Sequence, residues 1–166
     1  MAADYQLAVS FSGHRKERII RMGNPYIDAQ IRYGIIMNVI RLYEQGYKVY
    51  YNGMANGFDL VSAQVILMLK RWYSDIHLIA VVPFKSQSVR YDGTDKTLYD
   101  EILKQADEVK VLSENYYKGC FLRRNDYMIE RSDKIILFWD GEQKGGTYYT
   151  AMQAQRKNIE YINLYK

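Results

Sequence analysis

Several residue types that build specialised sites are scarce in this chain of 166 residues. It has one cysteine, Cys120, which excludes an internal disulfide framework and fits a reducing cytoplasm. The two histidines, His14 and His77, have no closely spaced carboxylate partners, so the sequence indicates no metal site. No apolar stretch approaches the roughly 20 residues that a membrane-spanning helix needs. Residues 1–6 lack the charged-then-apolar layout of a secretory signal, and we expect a cytoplasmic protein without a membrane partner.

Charge of one sign is also in only small excess. The formal net charge is +4, and the basic residues are spread along the whole chain. This balance suits an anionic small molecule but is too weak to indicate nucleic acid, which we do not expect as a partner. Tyrosine is the residue in clear excess, with 17 copies, and most of them fall within predicted strands and helices.

Apolar segments typical of β-strands alternate with amphipathic helices along the chain. Ile76 to Val82 is almost continuously apolar, as expected for a strand that is covered on both faces of a parallel sheet. Asn24 and Pro25 predict the start of a long helix that ends at Gly46, whereas the basic stretch before Gly23 is predicted to be irregular. The predicted strands are Gln6 to Phe11, Tyr47 to Tyr51, Ile76 to Val82, Glu108 to Leu112, Ile135 to Trp139 and Ile159 to Leu164.

This alternation predicts an α/β, Rossmann-like fold. We expect a doubly wound, mostly parallel sheet of about six strands with helices on both faces. No composition break, repeat or low-complexity tract divides the sequence, so we expect one domain over residues 1–166. Ligands of such folds bind beyond the carboxyl ends of the strands, where the strand order reverses. The segments predicted to lie there are 12–15, 53–59, 83–94, 113–119 and 140–147.

Two of these segments contain more than one glycine and lead into a predicted helix. Gly53 to Asp59 follows one predicted strand, and Gly145-Gly146-Thr147 follows another. A strand, a glycine turn and a helix start present backbone N–H groups to a phosphate, although either loop by itself is also explained as a tight turn. Two such loops on one sheet predict a phosphate site more strongly than one does.

Five segments of the chain form a recognisable series: Ser10 to Arg15, Gly53 to Asp59, Arg123 to Met128, Ser132-Asp133 and Gly146-Thr147. Taken in chain order, these segments resemble the YpsA-type branch of the SLOG superfamily. That superfamily also contains the Lonely Guy phosphoribohydrolases and the DprA/Smf DNA-processing proteins. The resemblance implies a Rossmann-like domain that binds nucleotides or nucleotide-derived molecules, such as ADP-ribose-like signals.

The candidate ligand-binding residues combine the loop analysis with this resemblance. The guanidinium of Arg15 can donate two hydrogen bonds to one phosphate. The Asp59 carboxylate can either stabilise the N-terminus of the helix that follows or accept a hydrogen bond from a ribose hydroxyl. Three tyrosines in loops have rings that can stack on a base, namely Tyr91, Tyr116 and Tyr117. The full set is Ser12, Gly13, His14, Arg15, Gly53, Met54, Ala55, Gly57, Asp59, Arg124, Asn125, Asp140, Gly145, Gly146 and Thr147.

One departure from the resembled enzymes concerns catalysis. The phosphoribohydrolases carry a glutamate three positions after the threonine of their Gly-Thr pair, and the nucleoside 2-deoxyribosyltransferases place a nucleophilic glutamate there too. This chain has Thr150, which cannot act as a carboxylate base or nucleophile, and Lys144 replaces the proline before the glycine pair. Asp140, next to a glycine loop, is then the remaining candidate for catalysis or ribose binding.

The leading hypothesis is a cytoplasmic module that senses or sequesters a nucleotide or a nucleotide derivative of the ADP-ribose or NAD kind. No further cofactor is indicated. One alternative is a nucleotide N-glycosidic hydrolase or a deoxyribosyltransferase-like enzyme, with Asp140 or Glu142 in place of the missing glutamate. A second alternative is a DprA-like DNA-binding protein. Because relatives in the superfamily often dimerise, the resemblance also raises a homodimer as an expectation.

Overall fold

Six parallel strands form one sheet in the computed structural model, which describes residues 6–166. Residues 1–5, part of the segment assessed for a secretory signal, lie outside this range. The strands are β1 Leu7–Gly13, β2 Tyr47–Asn52, β3 His77–Val82, β4 Glu108–Val111, β5 Lys134–Phe138 and β6 Glu160–Asn163. The helices are α1 Lys16–Arg21, α2 Ile27–Glu44, α3 Phe58–Leu69, α4 Gly93–Gln105, α5 Cys120–Glu130 and α6 Gly146–Arg156.

The strand order is β4-β3-β2-β1-β5-β6, and every neighbouring pair is parallel. After β1 the chain adds three strands on one side, and it then crosses to place β5 and β6 on the other. The order therefore reverses between β1 and β5, which is where ligand crevices form in doubly wound sheets. Gly13 pairs with Phe138 at the ends of these two strands, and the His14 N–H donates to the Phe138 carbonyl at 3.2 Å.

Helices cover both faces of the sheet, which confirms the predicted α/β Rossmann-like class. On one face α3 packs between α2 and α4, and on the other α5 packs against α6. Side chains of successive β1 residues point to opposite faces of the sheet. Val9 and Phe11 belong to the core beneath α2 to α4, whereas Ala8 packs with Met128 of α5. Within residues 6–166, no helix is both long and apolar enough to cross a membrane.

The segment before Gly23 is helical, not irregular as the sequence predicted. Residues 16–21 form α1, and its Ile19 packs on the main core. Six residues make fewer than two turns, which is too short for helical periodicity to stand out among basic residues. The predicted start of the long helix was also early. Asn24 accepts the Tyr26 N–H at 2.9 Å in a turn that precedes α2, so Pro25 lies before the helix.

Gly57 shows how closely the chain packs around the first turn of α3. Its φ is +94°, and a Cβ built there would stand 2.5 Å from the Lys16 nitrogen and 2.7 Å from the His14 carbonyl oxygen. These contacts are with backbone atoms, which cannot move aside as the end of a side chain can. Glycine is therefore required at position 57, because the backbone of the β1–α1 connection lies too close to leave room for a Cβ.

We expect Gly57→Ala to lower the free energy of unfolding by about 2 kcal/mol or more, because it adds a backbone clash to a strained φ. Denaturant unfolding would measure the change. Gly93→Ala is the matched control, since a Cβ at Gly93 meets nothing within 4 Å and the residue opens a helix. A loss of stability in Gly57→Ala no larger than in Gly93→Ala would contradict this interpretation.

Candidate functional site

A cavity of about 520 Å³ opens at the carboxyl end of the sheet. Its walls come from the β1–α1 connection, α1 and the N-terminal parts of α3, α5 and α6. It brings together eleven of the residues that were predicted from the sequence. These are Ser12, Gly13, His14, Arg15, Ala55, Asp59, Arg124, Asn125, Gly145, Gly146 and Thr147.

The N-terminus of α6 forms one wall of the cavity. Gly145 precedes the helix with φ 92° and ψ 179°, a conformation that residues with a Cβ rarely adopt. No side chain caps this helix, and its first turn contains no acidic residue. The uncapped first turn lines the cavity through Gly146 and Thr147. Backbone N–H groups and the positive end of the helix dipole therefore lie at the cavity wall, an arrangement that favours an anion.

Arg124 of α5 supplies a buried positive charge and is 4% exposed. Its Nη1 donates to the Gly53 carbonyl at 2.7 Å, and its Nε donates to Asn125 Oδ1 at 3.1 Å. Burial lowers the pKa of Arg124 and nearby Asp59 opposes this, but a guanidinium remains protonated at neutral pH. A Cβ at Gly53 would stand 2.8 Å from Arg124 Cδ, so the glycine makes room for the arginine.

A second guanidinium, that of Arg15, lies against the same aromatic ring as Arg124. The Cζ atoms of Arg15 and Arg124 are 5.0 Å and 5.5 Å from the centroid of the Phe121 ring. Within residues 6–166, neither guanidinium forms an ion pair with a carboxylate. Two positive charges on one cavity wall are thus left without a directly paired counter-charge, and an anionic ligand can supply it.

Asp59, in the first turn of α3, is a carboxylate of the cavity wall whose charge both arginines act on, and it is 5% exposed. Its Oδ2 accepts the Ala55 N–H at 3.2 Å. Its Oδ1 is buried and has no hydrogen-bond partner among the described residues. Burial raises the pKa of Asp59, while Arg124 and the Ala55 hydrogen bond act in the opposite direction. The side chain does not cap α3, because its hydrogen bond runs back into the preceding loop.

The loop that contains Gly53, Met54 and Gly57 is used differently from the prediction, and these three residues do not line the cavity. The Met54 N–H donates to Asn52 Oδ1 at 2.9 Å, and the Phe58 N–H at the start of α3 donates to the His14 carbonyl at 3.2 Å. Carbonyl groups of the loop accept hydrogen bonds from the Arg124 guanidinium and from two side chains of the 83–94 segment. The loop therefore positions Arg124, and several of its backbone groups are already satisfied within the protein.

Asp140, the predicted catalytic candidate, also lies outside the cavity lining. Its Oδ2 accepts from Arg18 Nε at 2.9 Å, and its Oδ1 accepts the Glu142 N–H at 3.1 Å. Burial by itself would raise the pKa of Asp140, but these hydrogen bonds bring it below its usual value. The carboxylate is therefore ionised and held by Arg18 at neutral pH, which does not suit a general acid.

His14 lies in the cavity wall and also contacts Asp140. Its Nε2 lies 3.0 Å from the Asp140 backbone nitrogen and 3.1 Å from Asp140 Oδ1. Burial lowers the pKa of His14, although the Asp140 charge opposes the shift. A neutral ring whose Nε2 accepts the Asp140 N–H agrees with the 3.0 Å contact and with the lowered pKa. The ring proton is then on Nδ1.

Phe121 and the basic residues of α1 are site residues that the sequence did not reveal. Phe121 lies in the first turn of α5, where an aromatic residue is usually explained as core packing. Arg18 and Arg21 line the cavity because α1 brings them there, and that helix was not predicted. Glu17, Leu122 and Lys144 complete the lining.

The three loop tyrosines that were considered for base stacking do not line the cavity. Tyr91 donates its hydroxyl to the Met54 carbonyl at 2.9 Å, and burial raises its pKa to about 12. Tyr116 packs on Phe84 and Phe121, and Tyr117 accepts a hydrogen bond from Arg123. These rings support the surrounding loops.

Thr150 lies behind the cavity, one turn into α6. It is buried, and its Oγ1 accepts a 3.4 Å hydrogen bond from Ser12 Oγ. The position that carries a glutamate in the resembled phosphoribohydrolases is therefore part of the packing between α6 and β1.

The fold and this cavity define a Rossmann-like α/β protein with a basic cleft where the strand order reverses. The model of the YspA SLOG family, the YpsA-type branch named above, matches residues 9–165. The chain belongs to this family.

Curated relatives carry the designation UPF0398 protein. One from Halalkalibacterium halodurans is 27% identical over 125 residues, which cover 74% of this chain and 66% of the relative. One from Bacillus velezensis is 28% identical over 61% of this chain and 57% of the relative. One from Staphylococcus epidermidis is 31% identical over 58% of this chain and 53% of the relative. The chain thus spans less than two thirds of the length of these relatives.

A solved structure is similar in fold. DNA processing protein A from Helicobacter pylori, studied for its unique single-stranded DNA binding mode, superposes with a TM-score of 0.63 and 23% sequence identity. The similarity covers 95% of this chain and 65% of that one. It confirms the Rossmann-like arrangement over almost the entire chain.

The lowered pKa of His14 predicts a pH dependence of stability. Its folded-state pKa lies below the ordinary value of 6.5, so between these two values the unfolded chain binds more protons than the folded chain. The free energy of unfolding should therefore fall as the pH drops below 6.5, by at most about 1.4 kcal/mol per pH unit. Equilibrium unfolding between pH 7 and 5 would measure the slope.

His14→Gln should flatten this slope, because glutamine can still accept the Asp140 N–H but does not titrate. The comparison is confined to pH values above the range in which ordinary carboxylates protonate. A variant whose stability falls with pH as steeply as that of the wild type would show that another group takes up the proton.

Proposed function

We propose that this protein binds a nucleotide or a nucleotide-derived molecule of the ADP-ribose or NAD kind in the cytoplasm, in order to sense or sequester it. The observation that carries the proposal is the convergence of the α6 N-terminus, Arg15 and Arg124 on one cavity at the reversal of strand order. Membership of the SLOG family supports the same ligand class.

Phosphate recognition would come from two sides of the cavity. The uncapped first turn of α6 offers N–H groups at Gly146 and Thr147, and the two guanidiniums lie on the wall formed by α5 and the β1–α1 connection. Arg18, Arg21 and Lys144 add positive charge to the lining, although Arg18 is paired with Asp140 and Lys144 with Glu142. A volume of about 520 Å³ is within the range of small-molecule sites.

Binding without hydrolysis is the mode that these residues favour. Thr150 cannot replace the missing glutamate, and Asp140 is engaged by Arg18 outside the cavity lining. Asp59, a carboxylate of the cavity wall, is hydrogen-bonded to a backbone amide through one oxygen. The chain therefore offers recognition groups, and neither carboxylate of its described cavity lining, Glu17 or Asp59, stands at the position of the missing glutamate.

Replacing Arg15 tests the phosphate site. Arg15 is exposed, so Arg15→Gln should fold normally while losing charge-assisted hydrogen bonds to the ligand. We expect ADP-ribose or AMP to bind about 10- to 100-fold more weakly, the equivalent of about 1.5–3 kcal/mol. Isothermal titration calorimetry measures the affinity.

Arg131→Gln provides the matched arginine control. Arg131 follows the C-terminus of α5, whereas the N-terminal part of that helix lines the cavity. The Arg131 guanidinium lies over the Tyr127 ring. If wild-type protein shows no binding of any nucleotide derivative, or if both variants lose affinity equally, the proposed site is wrong.

The distinction between binder and enzyme has a direct assay. Incubation of the pure protein with AMP, NAD or ADP-ribose should release no free base or nicotinamide, as followed by chromatography. A saturating ligand should nevertheless stabilise the fold by about 2–4 kcal/mol at 100 to 1,000 times its dissociation constant. Base release that disappears in Asp140→Ala would show that the protein is an N-glycosidic hydrolase.

A second candidate function is single-stranded DNA binding, favoured by the fold similarity to DNA processing protein A. The phosphates of a strand would then follow the basic residues around the cavity. Such binding should weaken steeply with salt, in proportion to the number of phosphates contacted. Oligonucleotide binding that outcompetes AMP and ADP-ribose and falls with salt would support this candidate over the nucleotide-binding proposal.

A further inference from the structure

One oxygen in the cavity wall lacks a hydrogen-bond partner. Asp59 Oδ1 is the single buried side-chain nitrogen or oxygen atom within residues 6–166 that makes no hydrogen bond. Buried polar atoms in folded proteins almost always have a partner, and an exception at a binding site points to a missing ligand, ion or water. The other carboxylate oxygen is already committed to the Ala55 N–H.

The surroundings of Asp59 restrict what this partner is. Arg124 and Arg15 both act on the Asp59 charge, and both line the same cavity. Their positive charges disfavour an ammonium group or a metal cation as the partner. A neutral O–H donor carries no such penalty, and it makes a strong hydrogen bond to a carboxylate.

The position of Asp59 relative to the phosphate groups restricts the donor further. A phosphate held by the arginines and by the α6 N-terminus would bring the attached sugar into the same cavity. The sugar of a nucleotide carries hydroxyl groups within a few bonds of its phosphate. Asp59 Oδ1 is therefore suited to accept one of them.

We propose that Asp59 selects ribose over deoxyribose: the 2′-hydroxyl of the ligand donates to Oδ1, and the site takes ribonucleotides in preference to deoxyribonucleotides. This inference rests on the nucleotide-binding function proposed above and names its substrate class. It also separates that function from DNA binding, since a DNA strand has no 2′-hydroxyl and only a terminal 3′-hydroxyl.

Asp59→Asn is a sharp probe because the Ala55 N–H fixes the orientation of the new amide. Asparagine must place its Oδ1 where Asp59 Oδ2 now accepts the Ala55 N–H. Its Nδ2 then occupies the position of the unpartnered oxygen, and an acceptor is exchanged for a donor of nearly the same size. Asp100→Asn is the control, since Asp100 pairs with Lys96 on the exposed side of α4.

The experiment measures the affinities of AMP, 2′-deoxy-AMP, 3′-deoxy-AMP and IMP by calorimetry, with thermal melting to verify that each variant folds. Wild-type protein and Asp100→Asn should bind AMP about 10-fold or more tightly than 2′-deoxy-AMP, as expected when a hydrogen bond to a charged group is lost. In Asp59→Asn this preference should become smaller, because Nδ2 can only donate a neutral hydrogen bond to the hydroxyl oxygen in place of the charge-assisted one, while the phosphate-dependent part of the affinity remains.

Other outcomes would overturn the inference. Equal binding of AMP and 2′-deoxy-AMP by the wild type would contradict selection by the 2′-hydroxyl, whether or not 3′-deoxy-AMP binds more weakly, and it would leave the nucleotide-binding proposal in place. Discrimination between AMP and IMP alone would assign the contact to the base amino group. An equal loss for all ligands in Asp59→Asn would show that Asp59 acts only by holding Arg124. If no nucleotide binds the wild type, the proposed function fails and this inference fails with it.

Discussion

The buried guanidinium of Arg124 is the group on which the geometry of the cavity depends. It comes from α5 on one face of the sheet, and it binds the Gly53 carbonyl at the end of β2. A buried charge costs free energy unless polar groups surround it, and here a backbone carbonyl and the Asn125 side chain do so. Because a Cβ at Gly53 would collide with Arg124, the loop after β2 and the helix α5 constrain each other.

The two glycine-containing loops consequently have different roles. The loop after β2 is occupied with internal hydrogen bonds, and Gly57 is required because another backbone segment approaches it. The loop before α6 has open space around Gly145, and its helix is uncapped. A glycine in a sequence indicates that something lies close to the backbone or that φ is positive, but it does not tell whether the neighbour is a ligand or the protein itself.

The alternation of apolar strands and amphipathic helices was enough to predict the fold class and the approximate position of each strand. It could not reveal α1, whose six residues are too few to show a period. The segments that follow parallel strands lie at one edge of the sheet, and for this reason most of the residues predicted there line one cavity. The pairing of Asp140 with Arg18, far apart in the chain, is a tertiary contact that no local pattern encodes.

The central claim is that a nucleotide phosphate binds between the α6 N-terminus and the two arginines. Titration of isotope-labelled protein with ADP-ribose, followed by the backbone amide resonances, tests it most directly. The claim predicts that the largest shift changes occur at Gly145, Gly146, Thr147 and Arg15, where N–H groups and charge would meet the phosphate. Changes concentrated elsewhere on the protein, or no changes at saturating ligand concentrations, would contradict it.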